Sequence, residues 1–165
     1  MNNVRLYMGI LAIWPLNVVF WLLYILPLWA LGWYRFHGVA SADPAKSPLG
    51  KALVWVVADG SPAWLKRVWG PWGGQCLGSL IVLRKSPEAA PVTLAHELHH
   101  AHQFHTYGLL YPTLYYLGSL VSWAACEDSY SANPFESSAR RVAGQVVDAK
   151  SFAQGYLFCK NGGKK

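Results

Sequence analysis

Thr93-Leu94-Ala95-His96-Glu97-Leu98-His99-His100-Ala101-His102-Gln103 is the stretch on which the reading of this chain turns. Pro91 stands just ahead of it, and proline suits the first turn of a helix, so a helix is predicted from Pro91 to about Thr106. Helical periodicity puts His96 and His100 one turn apart on one face, where two imidazoles can bind a single metal ion. Glu97 lies about 100° further round, close enough to hold a metal-bound water without being a ligand. Two ligands and a base from one helix are the mechanical content of H-E-x-x-H. Zinc lowers the pKa of its water towards 7, and the carboxylate takes that proton as the water attacks a carbonyl. His105 falls roughly opposite His96 and His102 well off the ligand face. With His99 they read as surface or packing histidines.

A catalytic zinc site needs a third protein ligand. The metzincin pattern would place Gly at 103 and His at 106, and the chain has Gln103 and Thr106, which excludes that subclass. The acidic residues after His100 are Glu127, Asp128, Glu136 and Asp148. Glu136 is the favoured ligand. It sits near the start of a helix predicted from Asn133-Pro134 to about Tyr156, whose apolar side carries Ala139, Ala143 and Val147. Ser137, Arg141 and Asp148 mark the solvent side. A glutamate at the edge of a buried face wants a cation or a donor. The competing role is structural, with Asn133 as N-cap and Glu136 at N3 forming a capping box. Glu127 is the second candidate ligand, because it could fold back from the end of the preceding apolar segment.

These residues, His96-Glu97-Leu98-His99-His100-Ala101-His102-Gln103 followed by Asn133-Pro134-Phe135-Glu136-Ser137-Ser138-Ala139, resemble the small gluzincin-like proteins, which carry H-E-x-x-H-x-x-Q and a downstream N-P-x-E-x-x-A. The resemblance covers about residues 75–145. It implies a zincin-like domain in which His96, His100 and Glu136 hold Zn2+ and Glu97 acts as the base. It also implies that Gln75–Leu83 is the edge strand beside the cleft. The chain departs from the better-known enzymes of that clan in being short, and in having Arg140 where many carry an acidic residue that supports a ligand histidine.

Ahead of this domain, no charged side chain interrupts the run from Leu6 to Tyr34. About 20 residues suffice to cross a bilayer as helix, and Trp14, Trp29, Trp33, Tyr7 and Tyr34 lie towards the ends of the run, where aromatic rings prefer the interface. Pro15 and Pro27 should kink or trim it. Ala40-Ser41-Ala42 has the form of a signal-peptidase site, but the apolar run is far longer than a usual signal h-region of about 7–15 residues. A single-pass anchor is therefore expected, the other reading being a buried hairpin of two short helices lying against the domain or in one leaflet. Arg35, Lys46 and Lys51 follow the run and Arg5 alone precedes it, which points the C-terminal domain to the cytoplasm.

The domain layout predicted from these features is a membrane segment over 1–35, a turn-rich linker over 36–51 and a zincin-like metal-binding domain over 52–160. The fold class is α+β: a short sheet with an edge strand, an active-site helix and downstream helices. Leu53–Ala58 and Leu77–Leu83 are the strand candidates. Tyr107–Cys126, also free of charge, is preferred as a buried helix or helix pair over a second span. Cys76, Cys126 and Cys159 are odd in number and widely spaced, a poor disulfide framework, and read as inert thiols in a reducing compartment.

The 14 Lys and Arg give a net charge of +6, yet they are scattered in pairs with no basic stripe, so nucleic acid is not an expected partner. Membrane lipid suits the charge better. The function expected is a membrane-anchored zinc metallopeptidase hydrolysing a peptide or protein substrate. The alternatives are a catalytically silent scaffold protein on a zincin-like fold, and a hydrophobic membrane protein whose histidines are incidental.

Overall fold

In the computed structural model, which describes residues 13–41, 51–69, 72–126 and 128–145, the first apolar run forms one helix, α1, over Ile13–Ala30. By length and composition it could cross a membrane. Pro27 does not break it. Proline has no N–H to offer, and the helix widens just ahead of it into a π turn, Trp21–Ile25, closed by the bond from Leu26 N–H to Trp21 O.

Four strands form a mixed sheet: β1 (Tyr34–Ser41), β2 (Lys51–Val57), β3 (Gly74–Leu77) and β4 (Leu80–Leu83), in the order β1-β2-β4-β3. β1 runs antiparallel to β2, β2 parallel to β4, and β3 antiparallel to β4. β2 and β4 are β-branched, nearly unbroken apolar runs, as central strands covered on both faces should be. Their alternate side chains part into two cores. Trp55, Val57, Leu80 and Val82 meet Ile25 of α1, with Phe20, Tyr24 and Leu28 against them, and Leu65 and Trp69 of a short helix, α2 (Ala63–Val68), and its cap. Ala52, Val54, Ile81 and Leu83 meet Leu98 and Ala101 of the long helix α3, Pro91–Tyr107. The sheet is thus a middle layer between α1 with α2 and α3.

Two expectations change here. Residues 36–41, read as linker, belong to β1; residues 42–50 lie outside the described residues. His37-Gly38 looks like a turn but is a bulge. The register steps from Phe36 opposite Trp55 to Gly38 opposite Val54, which leaves His37 as the extra residue. Likewise, 77–83 is not one strand but parts of the two arms of a hairpin turning at Gly78-Ser79, and of these two strands β3 lies at an edge of the sheet while β4 is central.

The chain divides into two compact units between Leu109 and Leu110, and the elements above belong to the first. In the second, a helix α4 (Tyr111–Cys126) leads to α5 (Pro134–Val142). Asn133 joins them. Its Oδ1 caps α5 by accepting from Phe135 N–H at 2.9 Å, and its Nδ2 donates to Tyr115 O (3.1 Å) and Ser119 Oγ (2.7 Å) on α4. α5 stops at Val142, well short of Tyr156. Gly144 takes φ 70°, and the bonds Gly144 N–H to Arg141 O and Gln145 N–H to Arg140 O close a Schellman end. Ser137, placed on the solvent side by periodicity, is fully buried and donates to Ser131 O at 3.1 Å.

The expectation that 107–126 is a buried helix is overturned. Of α4 only Tyr111 and Ser122 are buried, and Tyr116 is 73% exposed. The absence of charge misled, because apolar sequence does not compel burial inside the same chain. The cysteines also differ from expectation: Cys76 is free, but Cys126 is disulfide-bonded.

Candidate metal centre

The candidate metal-binding face of α3 is a polar stripe on a helix whose Leu98 and Ala101 pack on the sheet. His96, His100 and Gln103 follow one another at helical spacing, and all three are buried. The two imidazoles meet edge to face, with His96 Nε2 and His100 Nε2 3.0 Å apart. Two nitrogens bound at about 2.0–2.1 Å to a tetrahedral zinc sit roughly 3.3 Å apart, a spacing this pair already approaches. His100 Nδ1–H donates to Gln103 Oε1 at 2.8 Å. An amide oxygen can only accept, so the bond fixes the tautomer and leaves the Nε2 lone pair facing His96.

Glu97 is buried behind the edge strand. A Cβ placed on Gly74 of β3 would come within 2.8 Å of Glu97 Cγ and 2.9 Å of its Oε1, so only glycine lets the carboxylate lie against this backbone. Burial, and then the charge of Glu97, push the thiol of Cys76 well above its ordinary range, which keeps it protonated and unreactive.

The remaining histidines divide as periodicity suggests. His102 is exposed. Burial, and after it the charges of His102, His100 and His96, push His99 down to about 4. His105, 1% exposed, is a packing histidine, pushed down to about 4 by burial and then by His102. Its Nε2 shares a 2.8 Å hydrogen bond with Ser79 Oγ in the β3–β4 turn. Ser79 N–H donates to Asn17 Oδ1 of α1 (2.9 Å), and Asn17 Nδ2 donates to Ser79 Oγ (3.3 Å). With its oxygen accepting from Asn17, the Ser79 hydroxyl is left to donate to a neutral imidazole.

Glu136 is buried in the first turn of α5 and does not close a capping box, for Asn133 N–H goes to Tyr130 O instead. Tyr115 OH donates to Glu136 Oε1 at 2.8 Å. Burial, followed by the Glu136 charge, pushes Tyr130 up to about 12. Arg140, where the resemblance would have an acidic residue, holds its guanidinium 4.9 Å from the centre of the Tyr130 ring.

His96, His100 and Glu136 each offer one ligand atom, and these atoms lie within 4.8 Å of one another, close enough to bind a metal ion. Glu127, the second candidate, lies outside the described residues. Gln103 and Tyr115 are supporting groups that sequence reading passed over. The Q of H-E-x-x-H-x-x-Q was a signal for the first, and nothing local announced the second. The chain shows no match to any protein-family model, curated protein or solved structure with which it was compared.

Proposed function

We propose that this chain is a zinc-dependent metallopeptidase of the small gluzincin-like kind, acting at a membrane. The observation that carries the reading is the buried group of His96, His100 and Glu136 with ligand atoms within 4.8 Å. Two imidazoles and one carboxylate suit zinc and leave a fourth position for water or substrate. A zinc ion held there supplies the Lewis acidity and the lowered water pKa that peptide hydrolysis requires near neutral pH.

The chain's own groups do the rest. Glu97 accepts a proton from the attacking water and later passes it to the leaving amine. Gln103 holds His100 in the metal-binding tautomer, and Tyr115 orients Glu136. The edge strand β3 offers backbone groups to an extended peptide, and Gly74 keeps that edge clear beside Glu97. The long apolar helix Ile13–Ala30 supports the membrane location. The Cys126 disulfide favours an oxidising compartment over the cytoplasmic side inferred from flanking charge.

The test is digestion of a peptide library at matched zinc occupancy by the native chain and by Glu97→Gln. The variant keeps size and hydrogen bonding but cannot accept the proton. It should bind zinc about as well and lose at least about a hundredfold in hydrolysis. Equal cleavage by both proteins removes Glu97 from the reaction. One equivalent of zinc with no cleavage by either favours the silent scaffold.

A further inference from the structure

The helix that hydropathy alone would send across a bilayer is half built into the protein. One side of α1 closes the core over β2 and β4, and Asn17 is hydrogen-bonded to the Ser79 turn. Tyr24 OH lies 2.7 Å from Tyr34 OH, which also accepts from Trp69 Nε1 at 3.1 Å. A helix that crossed the hydrocarbon would have to carry the sheet and α2 into it, or give up these contacts.

The other side of α1 is apolar and uncovered. Leu22, Leu23 and Trp29 are exposed on it, Leu23 to 77%, and Leu31 continues the surface past its end. Trp33 then meets Trp64 edge to face, ring centroids 5.6 Å apart, which carries the surface onto α2. There Leu65 and Trp69 point into the core while Trp64 and Val68, one turn apart, are exposed. Between them Lys66 and Arg67 stand exposed in the last turn of α2, and Arg35 is exposed just beyond α1. An apolar face rich in tryptophan and rimmed by cations is complementary to one occupant: the headgroup and upper acyl region of an anionic phospholipid bilayer.

We infer that the first unit is monotopic: α1 lies in the plane of the membrane with its outer face in one leaflet, α2 dips Trp64 and Val68 beside it, and Lys66 and Arg67 meet anionic headgroups. This deepens the membrane part of the proposed function and replaces the single-pass anchor expected from hydropathy. It does not depend on metal binding or hydrolysis.

Two measurements on the full chain test it. In the first, Lys85→Cys with a cleavable N-terminal tag is reconstituted into sealed vesicles of phosphatidylcholine and phosphatidylglycerol. External protease and a bulky impermeant maleimide are then applied and read as shifts on one gel. A parallel sample without the Lys85→Cys change measures any labelling of the three native cysteines, Cys76, Cys126 and Cys159. A monotopic chain has both ends of α1 on one side, so the molecules that lose the tag are the molecules that gain the label. A crossing helix puts tag and thiol on opposite sides; molecules that lose the tag then stay unlabelled, which overturns the inference.

In the second, Lys66→Glu/Arg67→Glu should weaken binding to anionic vesicles by about tenfold or more, with binding to phosphatidylcholine alone little changed and the far-ultraviolet helix signal intact as a check on folding. Unchanged affinity for anionic vesicles refutes the headgroup contact. A stable soluble dimer that ignores vesicles refutes the lipid occupant in favour of a second copy. Failure of peptide hydrolysis alone touches neither measurement.

Discussion

The helices α3 and α4 are nearly equal in length, 17 and 16 residues, and their burial is inverted relative to their composition. α3 holds five histidines and a glutamate and buries eight residues, among them His96, Glu97, His100, Gln103 and His105. α4 has no charged residue and buries two. The difference lies in partners. The polar side chains buried on α3 have neighbours to meet them: the imidazole pair each other, His100 also Gln103, His105 Ser79 through its Nε2, and Glu97 the space over Gly74. α4 meets its neighbour α5 through a narrow stripe, Tyr111, Tyr115 and Ser119, where Phe135 and Asn133 pack and bond. Buried polarity needs partners, and α3 has them; exposed apolar surface needs none inside a single chain.

The sharpest way to break the comparison is to strip these groups from the site one at a time. His96→Ala/His100→Ala should abolish uptake of one equivalent of zinc, by metal analysis and competition with a chromophoric chelator. Glu136→Gln removes the anionic ligand but keeps size and the helix start, so affinity should fall strongly with little change in the far-ultraviolet helix signal. Gln103→Ala, which leaves every ligand in place, should cost about 10–100-fold in affinity. If Gln103→Ala binds as the native chain does, the tautomer argument is wrong. Equal affinity in Glu136→Gln would pass the third-ligand role to Glu127 or to no carboxylate.

The same substitution on both helices gives a second measure. Leu98 is buried against the sheet and Leu120 is exposed. Leu98→Ala should destabilise by about 2–5 kcal/mol, and Leu120→Ala by less than about 0.5 kcal/mol, read from denaturant midpoints in one detergent. Comparable losses would mean that α4 is covered after all.

The smallest effect is one of pH. His105 is held near 4 in the folded chain, below the roughly 6.5 of an unfolded histidine. The unfolded state therefore binds more protons between those values. The stability in question is present above about pH 6.5 and is lost as pH falls towards about 4. In the presence of chelator the melting temperature should drop on acidification through this window, and His105→Gln should flatten the drop. An unchanged slope in the variant would assign the acid lability elsewhere.

How much of this was legible in the sequence varied with how local the signal was. The site helix, its two histidines and the downstream glutamate were legible because spacing and the Asn133-Pro134 start are local facts. Corrections came where long-range contacts decide. A bulge at His37 keeps β1 going through a dipeptide that looks like a turn. Gly78-Ser79 folds one apolar run into two strands. α2 is six residues long, too short for periodicity to announce. The uses of Tyr115 and Ser79 depend on residues distant in sequence, on Glu136 and on Asn17 with His105. Absence of charge could not distinguish a helix with one packed side from a span or from a buried core.

The bonds that tie Asn17 to the Ser79 turn, and the Ser79 hydroxyl to His105, bear on how the protein can be handled. Trimming a leading apolar helix is a common route to a soluble sample. Here the cut would uncover Trp55, Val57, Leu80 and Val82 and remove Ile25 from their core, and each such side chain is worth about 1.5–3 kcal/mol when fully buried. It would also leave Ser79 and the His105 side chain of α3 without their third member, Asn17. Solubility has to come from polar substitutions on the outer face, at Leu22, Leu23 or Trp29, with the chain left whole.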